Sequence, residues 1–95
     1  MSLTICVLLW AREGSEMDLV EYEDRVLGLL PDYGGRVLHR ARTGGYRGEP
    51  LEVQLLEFPS EAALDEYASD ERRAILADAR DRAVARTQVL RVDLV

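Results

Sequence analysis

The chain has 95 residues and a mass of 10.7 kDa, with 12 basic residues, all Arg, against 18 Asp and Glu, which gives a formal net charge of −6 and a pI near 4.7. An acidic chain offers no basic face to neutralise phosphates, so nucleic acid is excluded as a partner. A hydrophobic share of 47% with 32% charged residues of both signs excludes disorder. The length predicts one domain, residues 1–95, which folds alone but gains from a partner subunit. The arginines are scattered and line up on no single element, which reads as coding bias.

Leu3 to Ala11 is apolar on both parities: Leu3, Ile5, Val7 and Leu9 on one face, Cys6, Leu8 and Trp10 on the other. Such a run predicts a strand covered on both sides. No basic residue precedes it, no small-residue cleavage site follows it, and Arg12-Glu13 ends it far short of the ~20 residues of a membrane span. Export and membrane insertion are therefore not expected. The lone Cys6 forms no intrachain disulfide and reads as a small buried hydrophobe in a reducing cytoplasm.

Arg12-Glu13-Gly14 breaks the strand, and Ser15 is placed to cap a helix, with Asp18 as its capping-box partner. Leu19, Tyr22, Val26 and Leu29/Leu30 form the apolar stripe of that helix, with Glu21, Glu23, Asp24 and Arg25 falling between them. Pro31 interrupts the pattern, Tyr33 closes one more turn, and Gly34-Gly35 supplies the stop. Arg36 to Arg42 alternates, with one strongly polar side, and so belongs near a sheet edge. The glycine-rich stretch Thr43 to Pro50 predicts a long hairpin loop, and Leu51 to Phe58 predicts the returning strand, with Leu51, Val53 and Leu55 as its apolar side.

Pro59-Ser60 stops that strand and caps a second helix, built on Ala63, Leu64, Tyr67 and Ala68. A kink is expected at Ser69-Asp70, with continuation through Ile75, Leu76, Ala79 and Ala83. Gln88 to Val95 predicts the last strand, with Leu90, Val92 and Leu94 alternating against Arg91 and Asp93. Strand, helix, strand, strand, helix, strand in this length is the ferredoxin-like βαββαβ plan: α+β, a four-stranded antiparallel sheet with two helices on one face. The second apolar face of the first strand then has no cover within the chain. A second copy supplies it, and the expected assembly is a homodimer through sheet faces, a dimeric α/β barrel.

Several short motifs carry a resemblance. Tyr22, Gly34-Gly35-Arg36, Glu57-Phe58-Pro59-Ser60, Ala62-Ala63, Tyr67 and Arg80 together resemble a widespread, largely uncharacterised family of small bacterial proteins. That family lies in the dimeric α/β-barrel superfamily, whose other members include cofactor-free monooxygenases, muconolactone isomerases and stress-responsive barrel proteins. The resemblance spans nearly the whole chain and implies the fold and the dimer; it assigns no reaction. The chain departs from the family pattern at Asp70-Glu71-Arg72-Arg73, where relatives often carry an aromatic residue, and in the hairpin loop.

The candidate chemistry is sparse. His39 is the only imidazole and suits a general base near neutral pH, or else a strand histidine bonded to a neighbour or solvent. A Cys6–His39 nucleophile pair is not expected, because strand three should stand between them. Glu57 shares the parity of Leu51, Val53 and Leu55, so it ends an apolar face where burial raises a carboxyl, while Arg91 and Asp93 read as interfacial ion-pair residues. Trp10, Tyr22 and Tyr67 are candidate walls of a cleft between sheet and helices, of the kind in which the superfamily's oxygenases hold aromatic substrates. Arg80 is either a carboxylate clamp or a partner of Asp78 or Asp81.

No metal-ligand spacing occurs, and neither glycine pair sits in a phosphate cradle, so no metal and no cofactor are expected. Three functions remain. The first is a cytoplasmic homodimer binding a small apolar or aromatic metabolite at Trp10, Tyr67, Glu57 and Arg80. The second is a cofactor-independent monooxygenase or isomerase with His39 or Tyr22 as the catalytic proton-transfer group. The third is a structural dimerisation module.

Overall fold

A computed structural model describes residues 2–95. Four strands, β1 (Leu3–Ala11), β2 (Arg36–Arg42), β3 (Glu52–Phe58) and β4 (Val84–Arg91), form one sheet in the order β2-β3-β1-β4, with every neighbouring pair antiparallel. Helix α1 (Glu16–Leu27) connects β1 to β2, and three short helices, α2 (Glu61–Ala68), α3 (Glu71–Ile75) and α4 (Ala77–Ala83), connect β3 to β4. The helices pack on one face. This is the ferredoxin-like arrangement.

The doubly apolar β1 takes a central place, hydrogen-bonded to β3 on one side and β4 on the other. Its Ile5, Val7 and Leu9 are buried under the helices with Leu19, Val26, Leu27 and Leu30, whereas Cys6, Leu8 and Trp10 on the opposite, open face remain half-buried. The Trp10 indole donates to the Gly48 carbonyl at 2.8 Å and lies under the Arg86 guanidinium, 4.4 Å from the ring centre. The Arg-rich β2 is an edge strand, as its polar side requires. Leu38 is an extra residue where the β2–β3 register shifts between Val37 and His39.

Gly34 closes the 3-10 turn Leu30–Tyr33 with a left-handed φ of 71°, and its amide bonds to the Pro31 carbonyl at 3.1 Å. At Gly35 a Cβ would stand 3.2 Å from Leu30 Cδ2 and 3.3 Å from the Glu57 carbonyl oxygen, so the second glycine lets the turn lie against β3. Phe58, fully buried, stacks obliquely on Tyr67 with ring centres 5.5 Å apart.

Four expectations change. The last strand starts at Val84 rather than Gln88, because β1 presents the edge from Ile5 to Ala11 and β4 must lie along it; Ala83 ends α4 and Arg12 ties back to its carbonyl at 2.9 Å. The Ser15 side chain makes no capping bond: its backbone carbonyl instead accepts from Leu19 at 3.0 Å. The second helix breaks twice. Ser60 caps α2 through Ala63 at 3.1 Å, and Asp70 restarts the chain as α3 by accepting from the Arg72 amide at 2.7 Å. Finally, Cys6 is half-buried on the open face rather than in the core.

Candidate functional site

The register of β3 against β1 decides where the site lies. Leu3, Ile5, Val7 and Leu9 stand opposite Phe58, Leu56, Gln54 and Glu52, and directly paired residues project to the same side of a sheet. Glu52 and Gln54 therefore go under the helices, both essentially fully buried, and Val53, Leu55 and Glu57 go to the open face. This reverses the expected apolar side of the strand. The reversal is stable because polar partners meet it: Arg40 and Arg42, paired with Gln54 and Glu52 across the ladder, reach the Glu52 carboxylate, and Arg40 also bonds Asp24 of α1 at 2.6 Å.

Helix α1 completes the polar cluster. Its buried stripe is Leu19, Tyr22, Glu23, Val26 and Leu27, so Glu23 belongs to the inward face rather than falling between the apolar residues. Gln54 Nε2 donates to Glu23 Oε1 at 2.8 Å and to Glu52 Oε1 at 3.0 Å. Burial raises the Glu23 carboxyl above its ordinary pKa; the Gln54 bond opposes that rise and the nearby Glu52 charge adds to it.

Above this floor lies a cavity of about 320 Å³ between sheet and helices. Ile5, Val7, Leu9 and Leu56 form an apolar base, Leu27, Leu64 and Tyr67 an apolar roof, and Glu23 with Gln54 one polar wall. Tyr22, Arg73 and Arg80 line it from the helical side, Thr87 and Val89 from β4. The Thr87 Oγ1 is buried with no hydrogen-bond partner among the described residues. Tyr67 spends its hydroxyl on the Val26 carbonyl at 2.9 Å, and burial with that packing pushes its pKa up to about 12. The Tyr22 hydroxyl is raised mainly by burial, with the Arg73 and Arg80 charges pulling the other way.

Of the residues singled out from the sequence, Tyr22, Tyr67 and Arg80 meet at this cavity. Three do not. His39 is exposed on the open face opposite Leu55, because the β2 bulge brings it into line with the open side of β3; β3 stands between it and Cys6. Trp10 is on the open side of β1, one parity away from Ile5, Val7 and Leu9, and lines a separate concavity of about 320 Å³ with Gly44, Gly45 and Gly48 of the hairpin loop. Glu57 is on the open face and pairs with Arg36 at 2.9 Å. Arg91 also differs from expectation: it points to the helical side and holds Glu61 through two bonds of 2.7 and 2.9 Å.

Sequence reasoning missed Glu23, Gln54, Arg73 and Thr87. A signal for two of them exists, since Gln54 shares parity with Leu56 and Phe58, and Glu23 lies four residues after Leu19 and four before Leu27. Among the described residues no three or more His, Cys, Asp or Glu side chains gather where they would hold a metal ion, and no helix is long and apolar enough to cross a membrane.

No protein-family model matches the chain, and no curated protein matches it either. Solved structures do. RPA0582 of Rhodopseudomonas palustris, a protein of unknown function, is 18% identical and superposes with a TM-score of 0.80 over 99% of this chain and 82% of its own. A dimeric protein of unknown function and ferredoxin-like fold from Bacteroides fragilis is 9% identical, with a TM-score of 0.70 over 98% and 96% of the two chains. An uncharacterised NIPSNAP-like domain protein from Burkholderia xenovorans is 11% identical, with a TM-score of 0.72 over 99% and 85%. At these identities the likeness is one of fold.

Proposed function

We propose that this chain is a cytoplasmic homodimer that binds a small, mainly apolar or aromatic molecule between its sheet and helices. The observation that carries the reading is the cavity of about 320 Å³ in which an apolar base and roof converge on a few polar groups: Glu23, Gln54, Tyr22 and the unpartnered Thr87 Oγ1. Ligand sites have this composition, and the volume is at the small end of their roughly 300–1,000 Å³ range, which suits a molecule of one or two rings. A buried hydroxyl without a partner is uncommon in folded proteins, and a ligand atom would satisfy it.

The dimer reading rests on the open face of the sheet, where Cys6, Leu8, Trp10, Val53 and Leu55 form an apolar strip that no helix of the chain covers. Two copies related by a two-fold axis would cover each other's strip, the self-complementary solution for one sticky face. The Bacteroides fragilis neighbour, of the same fold, is a dimer. The Gly34-Gly35-Arg36 and Glu57-Phe58-Pro59-Ser60 motifs, each set at a strand end of this fold, support membership of the small bacterial family they resemble.

A cofactor-independent isomerase or monooxygenase is the second reading. Glu23 favours it, as a buried carboxyl with a raised pKa beside an apolar cavity, the setting in which proton-transfer groups are tuned. Glu23 with Tyr22, rather than His39, would then handle the proton. A purely structural module has less support, because its interior should be filled.

Native mass spectrometry of protein taken directly from its host tests the binding reading. A dimer carrying a co-purified small molecule is the expected result. A ligand-free species whose cavity also binds none of a set of one- and two-ring compounds would overturn it.

A further inference from the structure

The cavity lining carries more arginines than acids: Arg73, Arg80 and Arg91 against Glu23 and Asp65. The three arginines are not equivalent. Arg91 is engaged by the Glu61 carboxylate through two hydrogen bonds. Arg73 makes no ion pair with any described residue; its guanidinium instead rests 4.7 Å from the centre of the Tyr67 ring. Arg80 has only the distant Asp81, at 4.0 Å, on an exposed helix surface. Both Arg73 and Arg80 also border the shallower concavity beyond, together with Tyr22 and Ala68, so the two cations flank one opening. The Asp70 carboxylate at that rim is already held by Arg72 and Tyr33. Two acids stand on the cavity lining itself: Asp65, which sits by Arg91, and Glu23 on the polar wall, bonded to Gln54.

Between these cations stands Tyr22, whose hydroxyl, unlike that of Tyr67, has no hydrogen-bond partner among the described residues. A planar guanidinium fork recognises a carboxylate through two parallel bonds, and a phenol adds a third donor. We propose that the molecule bound in this cavity is a small organic acid: its apolar ring or chain lies on Ile5, Val7 and Leu56, and its carboxylate is held at the mouth by Arg73 and Arg80 beside the Tyr22 hydroxyl. The inference rests on the binding reading above and narrows it. It also gives a role to Arg73, which no motif marks. Arg73 lies in the Asp70-Glu71-Arg72-Arg73 segment where the chain departs from the family it resembles, so the preference for an acid would belong to this chain and close relatives.

The test is calorimetric titration of the full chain with two pairs of probes, benzoate against benzamide and 2-naphthoate against 2-naphthamide, which differ in charge but hardly in shape. The acids should bind at least tenfold more tightly than their amides. In Arg73→Gln/Arg80→Gln that preference should disappear while amide affinity stays the same. Arg80→Gln alone, at an exposed position, should remove part of the preference without disturbing the fold, and Arg73→Lys, which keeps the charge but loses the fork, should fall between. Equal affinity for acid and amide in the wild type, or a preference that survives the double change, overturns the acid inference and leaves the cavity reading standing. Failure of all four probes at millimolar concentration overturns both.

Discussion

Gln54 Nε2 donates a 2.8 Å hydrogen bond to Glu23 Oε1, joining the floor of the sheet to α1 through two polar side chains that are almost completely buried. The bond keeps a carboxyl under the helices where an all-apolar core would have been the cheaper solution. Replacing Gln54 by Leu strands both Glu23 and part of Glu52, and should cost about 1–3 kcal/mol in urea unfolding. Glu23→Leu/Gln54→Leu should recover much of that loss. A double variant as unstable as the sum of its parts would mean the two side chains act independently.

The raised Glu23 carboxyl has a consequence for pH. The folded chain holds this proton more tightly than the unfolded chain, whose pKa is near 4.5. The stability contributed is therefore complete below that value and is lost as pH rises through the folded-state pKa. Glu23→Gln should gain on the wild type as pH rises from about 4.5 toward neutrality, then run parallel to it. Thermal melts across that window read the difference; a constant gap would contradict a raised Glu23. Asp70 and Glu61, both lowered chiefly by hydrogen bonds from their arginine partners, act in the opposite sense and lose their contribution as the solution becomes acidic.

Tyr67 anchors α2 twice, through its hydroxyl on the Val26 carbonyl and through its ring against Phe58 and Tyr33. Tyr67→Phe removes only the first and should cost about 1 kcal/mol. Tyr67→Ala removes both and should cost about 3–5 kcal/mol. Similar losses for the two would show that the hydroxyl, rather than the ring, holds the helix.

Leu8 lies in the middle of the open sheet face, flanked by Val53 and Gln88 on the adjacent strands. In the proposed dimer a carboxylate there would be buried against its own copy. Leu8→Asp should shift the sedimenting species from twice 10.7 kDa to a folded particle of that mass, with the helical circular dichroism kept. A wild type that already sediments as a monomer at micromolar concentration refutes the sheet-face dimer.

The element order, the two apolar faces of β1, the edge position of β2, the Gly34 stop and the break at Ser69-Asp70 were all legible in the amino-acid sequence. Each follows from a local rule: two-sided apolarity, one-sided polarity, left-handed backbone, or a capping side chain. The start of β4 was not, because Val84 to Thr87 carries no signal of its own and becomes strand through the length of β1 it must pair with. The site was half legible. Tyr22 and Tyr67 lie on helix faces that spacing alone directs inward and Arg80 at the exposed edge of one, whereas His39, Trp10 and Glu57 depended on which side of the sheet the helices choose.

The alternation along β3 established that Val53 and Leu55 oppose Gln54 and Leu56, and nothing local could say which set is covered. Hydrophobicity favours the first set. Tertiary structure decided for the second, because antiparallel pairing aligns Leu56 and Phe58 with Ile5 and Leu3, and Arg40 and Arg42 on the edge strand neutralise the Glu52 that comes with them. Alternation has a period of two and no sign; only long-range register and compensating charge supply the sign, and with it the polar wall of the cavity.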